Sequence, residues 1–158
     1  MVQQQETIPV NNKDLPFLEK VKAQAELPDI FDARDLTLVV YRTMRDLMSK
    51  ETRQSVGEEL EKPVGKTENQ RLQMDIAELW RDTNPLVAWI SNIRPPLQFD
   101  DKTFIYRIAQ EGGVPRNISA EKVIKSVFSA TKDELSAAKI DEIANCLPGQ
   151  IKVFWQNA

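Results

Sequence analysis

Histidine is missing from this chain of 158 residues, and cysteine occurs once, at Cys146. Without histidine the commonest general base is gone, along with the main ligand of zinc, haem and non-haem iron. A single cysteine excludes an internal disulfide and any zinc site built on paired thiolates. Glycine is sparse, and Gly57, Gly65, Gly112, Gly113 and Gly149 do not stand in the order of a phosphate-cradling loop. No stretch approaches the roughly 20 apolar residues of a membrane span. Residues 1–13 lack the apolar and basic segments of a secretory signal, so a cytoplasmic setting is expected. A dominant charge is missing too: 24 acidic and 21 basic residues leave a net charge of −3, without blocks. That balance gives no general attraction to phosphate backbones or anionic lipid, so neither nucleic-acid binding nor membrane insertion is expected.

What is present is the composition of a soluble globular protein, 41% hydrophobic and 28% charged. A chain of this length is most simply one domain, able to bury roughly 70% of its unfolded surface. The most informative pattern is internal. Residues 17–60, moved along by 87 positions, land on 104–147 without a gap. Phe17, Pro28, Ala33, Val40, Asp46, Ser49 and Leu60 fall on Phe104, Pro115, Ala120, Val127, Asp133, Ser136 and Leu147. Apolar residues exchange for apolar ones at Leu18/Ile105, Val21/Ile108, Leu36/Val123 and Tyr41/Phe128. One supersecondary unit is therefore written twice.

Each unit reads as three helices. The first runs from about Leu15 to Glu26, with Asp14 as N-cap, and its mate runs from Asp101–Thr103 to the Gly112-Gly113 stop. The second is capped by Asp32 and by Ser119. Its stripe of Ala33, Leu36, Val40, Tyr41, Met44 and Met48 has helical spacing. Leu36–Tyr41 alone could form a strand, but its mate Val123–Phe128 does not alternate, which decides for helix. Ser49 and Ser136 open the third helices, which end near Leu60 and Leu147. Asp46 and Asp133 sit in the last turn of the second helices, against the dipole, so compensation from the amides opening the next helix is expected. Val39, Tyr41, Ile124 and Phe128 are the expected centre of a core that both units share, because a unit of some 44 residues struggles to bury its own apolar face.

The expected organisation is a flexible arm over 1–13 and one helical domain over 14–158, with repeat one at 14–60, a connector at 61–100 and repeat two at 101–158. The fold class is all-α, a bundle of two pseudo-symmetric three-helix repeats plus an inserted connector helix. Within the connector, Glu68–Thr83 reads as the insertion, while Asn84-Pro85 opens a helix to Ile93 that Pro95-Pro96 ends. The Trp89 and Trp155 segments are the expected related closing helices.

The Phe-led helices (Phe17, Phe104), the Ala-led helix ending in Leu135-Ser136, and the Leu147-Pro148 … Phe154-Trp155 close resemble a bacterial domain-of-unknown-function family, number 2267. The resemblance spans roughly Phe17 to Trp155 and departs at Glu61-Lys62-Pro63, where the connector is longer. It implies an all-helical fold and carries over no activity and no functional residues.

Asp29, Asp32 and Asp35 crowd a helix entrance, yet the glycine and closing glutamate of a calcium loop are missing, so no metal is expected. Cys146 reads as a small core residue near a helix C-terminus, away from the cations that activate thiols. Tryptophan on an amphipathic helix is usually a core anchor. Trp80 is nonetheless the expected exposed one, because its helix has no counterpart in the other repeat. The expected function is non-catalytic: a protein-interaction or regulatory module with no cofactor, meeting a protein partner of unknown identity through Trp80, Arg81, Trp89 and Arg94. A homodimer is allowed. The alternative is a small-ligand protein holding lipid or pigment in an apolar crevice between the repeats.

Overall fold

The computed structural model describes residues 15–61, 75–81, 95–114 and 117–158. Among them are eight helices and no strand: α1 (Leu15–Ala25), α2 (Ile30–Asp46), α3 (Lys50–Glu61), α4 (Asp75–Trp80), α5 (Asp101–Glu111), α6 (Ala120–Lys132), α7 (Ala137–Ala144) and α8 (Gly149–Asn157). The Leu36–Tyr41 stretch is helical, inside α2. The expected arm over 1–13, the Asp14 cap and the helix from Asn84 to Ile93 lie outside the described residues.

Local signals explain the boundaries. α1 ends on a reversed turn in which the Leu27 N–H donates to Lys22 O (2.9 Å) and the Glu26 N–H to Ala23 O (3.3 Å). α5 ends identically, 87 positions on, with the Val114 N–H on Ala109 O (3.2 Å) and the Gly113 N–H on Gln110 O (3.3 Å). Both turns need a left-handed residue, Glu26 at φ 59° and Gly113 at φ 59°. Glycine adopts that conformation freely, and glutamate does so under strain.

α2 starts a turn earlier than expected. Its cap is Asp29, whose carboxylate accepts from the Asp32 N–H at 2.9 Å, so Asp32 lies inside the helix and is no cap. The matching position in the second half is Arg116, which has no acceptor, and there Ser119 caps α6. Ser49 and Ser136 open α3 and α7 as the sequence indicates, each accepting at 3.2 Å from the N–H three residues on. α7 stops at Ala144, about a turn before Leu147.

The buried side chains form one cluster running through both halves. Tyr41, Ile124 and Phe128 are completely buried, and Val39 nearly so. Packing does not follow chain order. α1 lies against α6 more extensively than against its neighbour α2, and α2 in turn touches α5 as well as α6. The first helix of each half therefore lies across the second helix of the other.

The tryptophans close each half in the same way. Trp80 stands edge-on to Tyr41 (5.1 Å between centroids), and Trp155 stands edge-on to Phe128 (5.0 Å). The Trp80 indole N–H donates to Arg53 O at 2.9 Å, and that of Trp155 donates to Ile140 O at 2.9 Å. Arg45 donates to Trp80 O, and Lys132 donates to Trp155 O. Tyr41/Phe128, Arg53/Ile140 and Arg45/Lys132 are all pairs 87 positions apart. Trp80 thus makes in the first half the contacts that Trp155 makes in the second, the closing role expected of Trp89, which lies outside the described residues.

Candidate functional site

The four residues expected to meet a partner have different fates. Trp80 is 1% exposed, so the expectation that it is the surface tryptophan is overturned. The reason is its anchoring role: a buried indole needs an acceptor for its N–H, and Arg53 O supplies one. Arg81 is exposed and forms an ion pair with Glu61, which lowers the Glu61 carboxyl below its ordinary value, chiefly through the hydrogen bond. Its guanidinium lies over Gly57, where an added Cβ would come 3.3 Å from Arg81 Nε. Trp89 and Arg94 lie outside the described residues.

Charged side chains concentrate instead on the seam between the halves. Lys20 Nζ meets Asp133 Oδ2 at 2.6 Å, and Arg107 Nη2 meets Asp46 Oδ2 at 2.7 Å. Lys20 and Arg107 are counterparts, as are Asp46 and Asp133. These cations pair with the two helix-terminal aspartates, and in the helices that follow the Thr52 and Lys139 N–H groups donate to Ser49 and Ser136. A second pair of contacts joins α3 to α7. The Thr52 hydroxyl donates to Glu142 Oε2 (3.2 Å), and Lys139 donates to Ser55. Thr52 and Lys139 are counterparts, as are Ser55 and Glu142. Lys139 also holds Glu142 Oε1 at 2.7 Å, and that hydrogen bond is the main reason the Glu142 carboxyl is lowered.

The acidic cluster at the start of α2 is a helix entrance. Asp29 caps, and the Asp32 carboxyl is raised, first by desolvation and then by the Asp29 and Asp35 charges. Among the described residues no group of three or more His, Cys, Asp or Glu is placed to hold a metal ion. Cys146 is half-buried beyond α7, and its thiol is raised by burial and by the Glu142 charge, which disfavours the reactive thiolate. Among the described residues no helix is long and apolar enough to cross a membrane.

Large exposed apolar side chains sit elsewhere than expected: Tyr106 at 64%, Val153 at 41% and Leu97 at 40%. Tyr106 belongs to α5 and Val153 to α8, and these two helices pack together. Their N-termini are tied by the Gln150 N–H, which donates to Asp101 Oδ2 at 2.9 Å. In the first half the matching positions are Glu19 and, counting back from Trp155 to Trp80, Glu78, both exposed. Comparing exposed positions between the halves would have revealed this difference from sequence, had the Trp80 segment been aligned with Trp155. No curated protein matches the chain. The seam contacts and the helices from α1 through α7 fall within residues 15–154, which match the model of the family described as Uncharacterized conserved protein (DUF2267), and the chain belongs to that family.

Proposed function

We propose that this protein is a non-catalytic helical module of two pseudo-twofold-related units, and that it binds a protein partner through the outer face of α5 and α8. The crossed contacts Lys20–Asp133 and Arg107–Asp46 support the two-unit reading, since two-fold relation makes each contact occur twice with its members exchanged. One observation carries the binding reading. At equivalent exposed positions the first half has Glu19 and Glu78, and the second has Tyr106 and Val153. Units that share the helix order, the caps and the tryptophan closes differ where they face solvent. An exposed aromatic with an aliphatic side chain on packed helices has the composition of an interface anchor.

The polar groups near the seam support the non-catalytic part, because caps and ion pairs engage them: Ser136 on the Lys139 N–H, Lys139 on Glu142, Asp133 on Lys20. A photo-crosslinking phenylalanine analogue introduced at position 106 tests the reading in cells. A discrete protein adduct is expected from that position and not from the same analogue at position 19. Equal adducts from both positions, or none from either, would refute the assigned surface.

A further inference from the structure

The seam is reciprocal, and a reciprocal seam inside one chain is also a seam that two chains can share. In each half, one residue meets the other half's partner position while its own partner position receives the reverse contact. Lys20–Asp133 is matched by Arg107–Asp46, and Thr52–Glu142 by Lys139–Ser55. This is the arrangement of an isologous dimer interface, closed here within a single molecule. We propose that the protein forms a half-exchanged homodimer, in which residues 15–81 of one copy dock on residues 101–158 of a second copy through this same seam.

None of these contacts requires both halves to belong to one molecule. α1 makes its larger packing surface with α6, in the other half, and every ion pair on the seam is remade when the second half comes from another copy. Between Arg81 and Asp101 the chain has about twenty residues, whose contour reaches at most roughly 65 Å. That exceeds several-fold the 8–10 Å between packed helix axes, so covalent reach does not forbid exchange. Concentration then decides the outcome. A tethered half competes at an effective concentration on the order of 1 mM. Folding at comparable protein concentration populates the exchanged form, and it persists on dilution because reversal requires the seam to open. Tyr106 and Val153 take no part in these contacts, so the exchange is separate from the partner surface proposed above.

Two charge reversals test it. Lys20→Asp sets two carboxylates against each other at one end of the seam, and Asp133→Lys sets two ammonium groups there. Neither variant repairs itself as a closed monomer or as an exchanged homodimer. A mixed exchanged dimer repairs both, because Lys20 of one copy meets Asp133 of the other and the two introduced charges also meet. The native side chains are 31% and 58% exposed, so both variants are expected to fold. The variants are mixed unfolded at about 1 mM, refolded, diluted and weighed by native mass spectrometry. Wild type should give dimers under this protocol and monomers when refolded about a thousandfold more dilute. The mixed dimer should exceed the two variant homodimers by about tenfold. Monomers alone from concentrated wild type would overturn the proposal. So would statistical mixing of the two variants, which would indicate dimers held through another surface. Tyr106→Glu should exchange like wild type, which separates failure of the seam from failure of the α5–α8 reading.

Discussion

The two crossed ion pairs stand at equivalent positions but in unequal surroundings, so their strengths should differ. Arg107 and Asp46 are 20% and 16% exposed, whereas Lys20 and Asp133 are 31% and 58% exposed. Charge centres about 4 Å apart in an effective dielectric of about 20 attract by about 4 kcal/mol. Desolvation and side-chain ordering consume most of that, leaving the Arg107–Asp46 pair about 1–2 kcal/mol of coupling. Solvent screening should hold Lys20–Asp133 to under about 0.5 kcal/mol. The assay is a double-mutant cycle in urea with Asp46→Asn and Arg107→Gln, set beside one with Asp133→Asn and Lys20→Gln. Arg107 also stacks on Phe99 (5.0 Å) and reaches Glu111 (3.4 Å), but each of these is lost in both legs of its cycle and cancels. Equal couplings in the two cycles, or none for Arg107–Asp46, would refute the argument that burial decides between them.

Three further outcomes follow from the packing. Val127→Asp puts an unpaired carboxylate at a completely buried position of α6 and should abolish cooperative unfolding, read as loss of the thermal transition by circular dichroism. Glu26→Gly should raise the melting temperature, because relief of the left-handed strain at φ 59° outweighs an exposed ion pair to Lys122; a lowered midpoint would contradict this. Acid should destabilise the fold through Glu61 and Glu142, both lowered from their ordinary value by Arg81 and Lys139 respectively. A lowered carboxyl contributes stability above its unfolded pKa and loses it as pH falls through the folded one, so the loss is expected between about pH 5 and pH 3. Asp32, raised by desolvation, works in the opposite direction over the same range. Glu142→Gln should flatten the decline in urea midpoint on acidification, and an unchanged slope would remove Glu142 from the account.

Helices were readable because their signals are local. The spacing of Leu36, Val40, Tyr41 and Met44, the serine caps at 49 and 136, and the glycine stop at 112–113 each depend on neighbours within a turn or two. The repeat resolved the one ambiguous stretch, Leu36–Tyr41, because a shared conformation had to suit both copies. Reading failed where a choice depended on distant parts of the chain. Asp29 and Asp32 both satisfy the composition of a cap, and only the packed helix distinguishes them. The closing contacts expected of the Trp89 segment are made by Trp80, which is held by Tyr41, Arg45 and Arg53, far back in the chain. The exposure expected of Trp80 fails for the same reason, since Glu68–Thr83 reads as an addition to a complete unit, whereas Trp80 closes over Tyr41 and is buried. The compensating cations for Asp46 and Asp133 were also visible, as basic residues at 20 and 107, but pairing them required knowing that first helices cross to the opposite half.

Tyr41 and Phe128 occupy matching places, yet only the tyrosine carries a hydroxyl, 2.7 Å from the Thr131 oxygen in the buried interior. Thr131 already gives its own proton to Val127 O at 2.6 Å, so the phenol must be the donor. The interior thus holds one oriented polar link between α2 and α6 whose counterpart, between Phe128 and Met44, carries no polar group. That link makes the two halves distinguishable from within, and an arrangement that broke it would leave a buried oxygen without its partner.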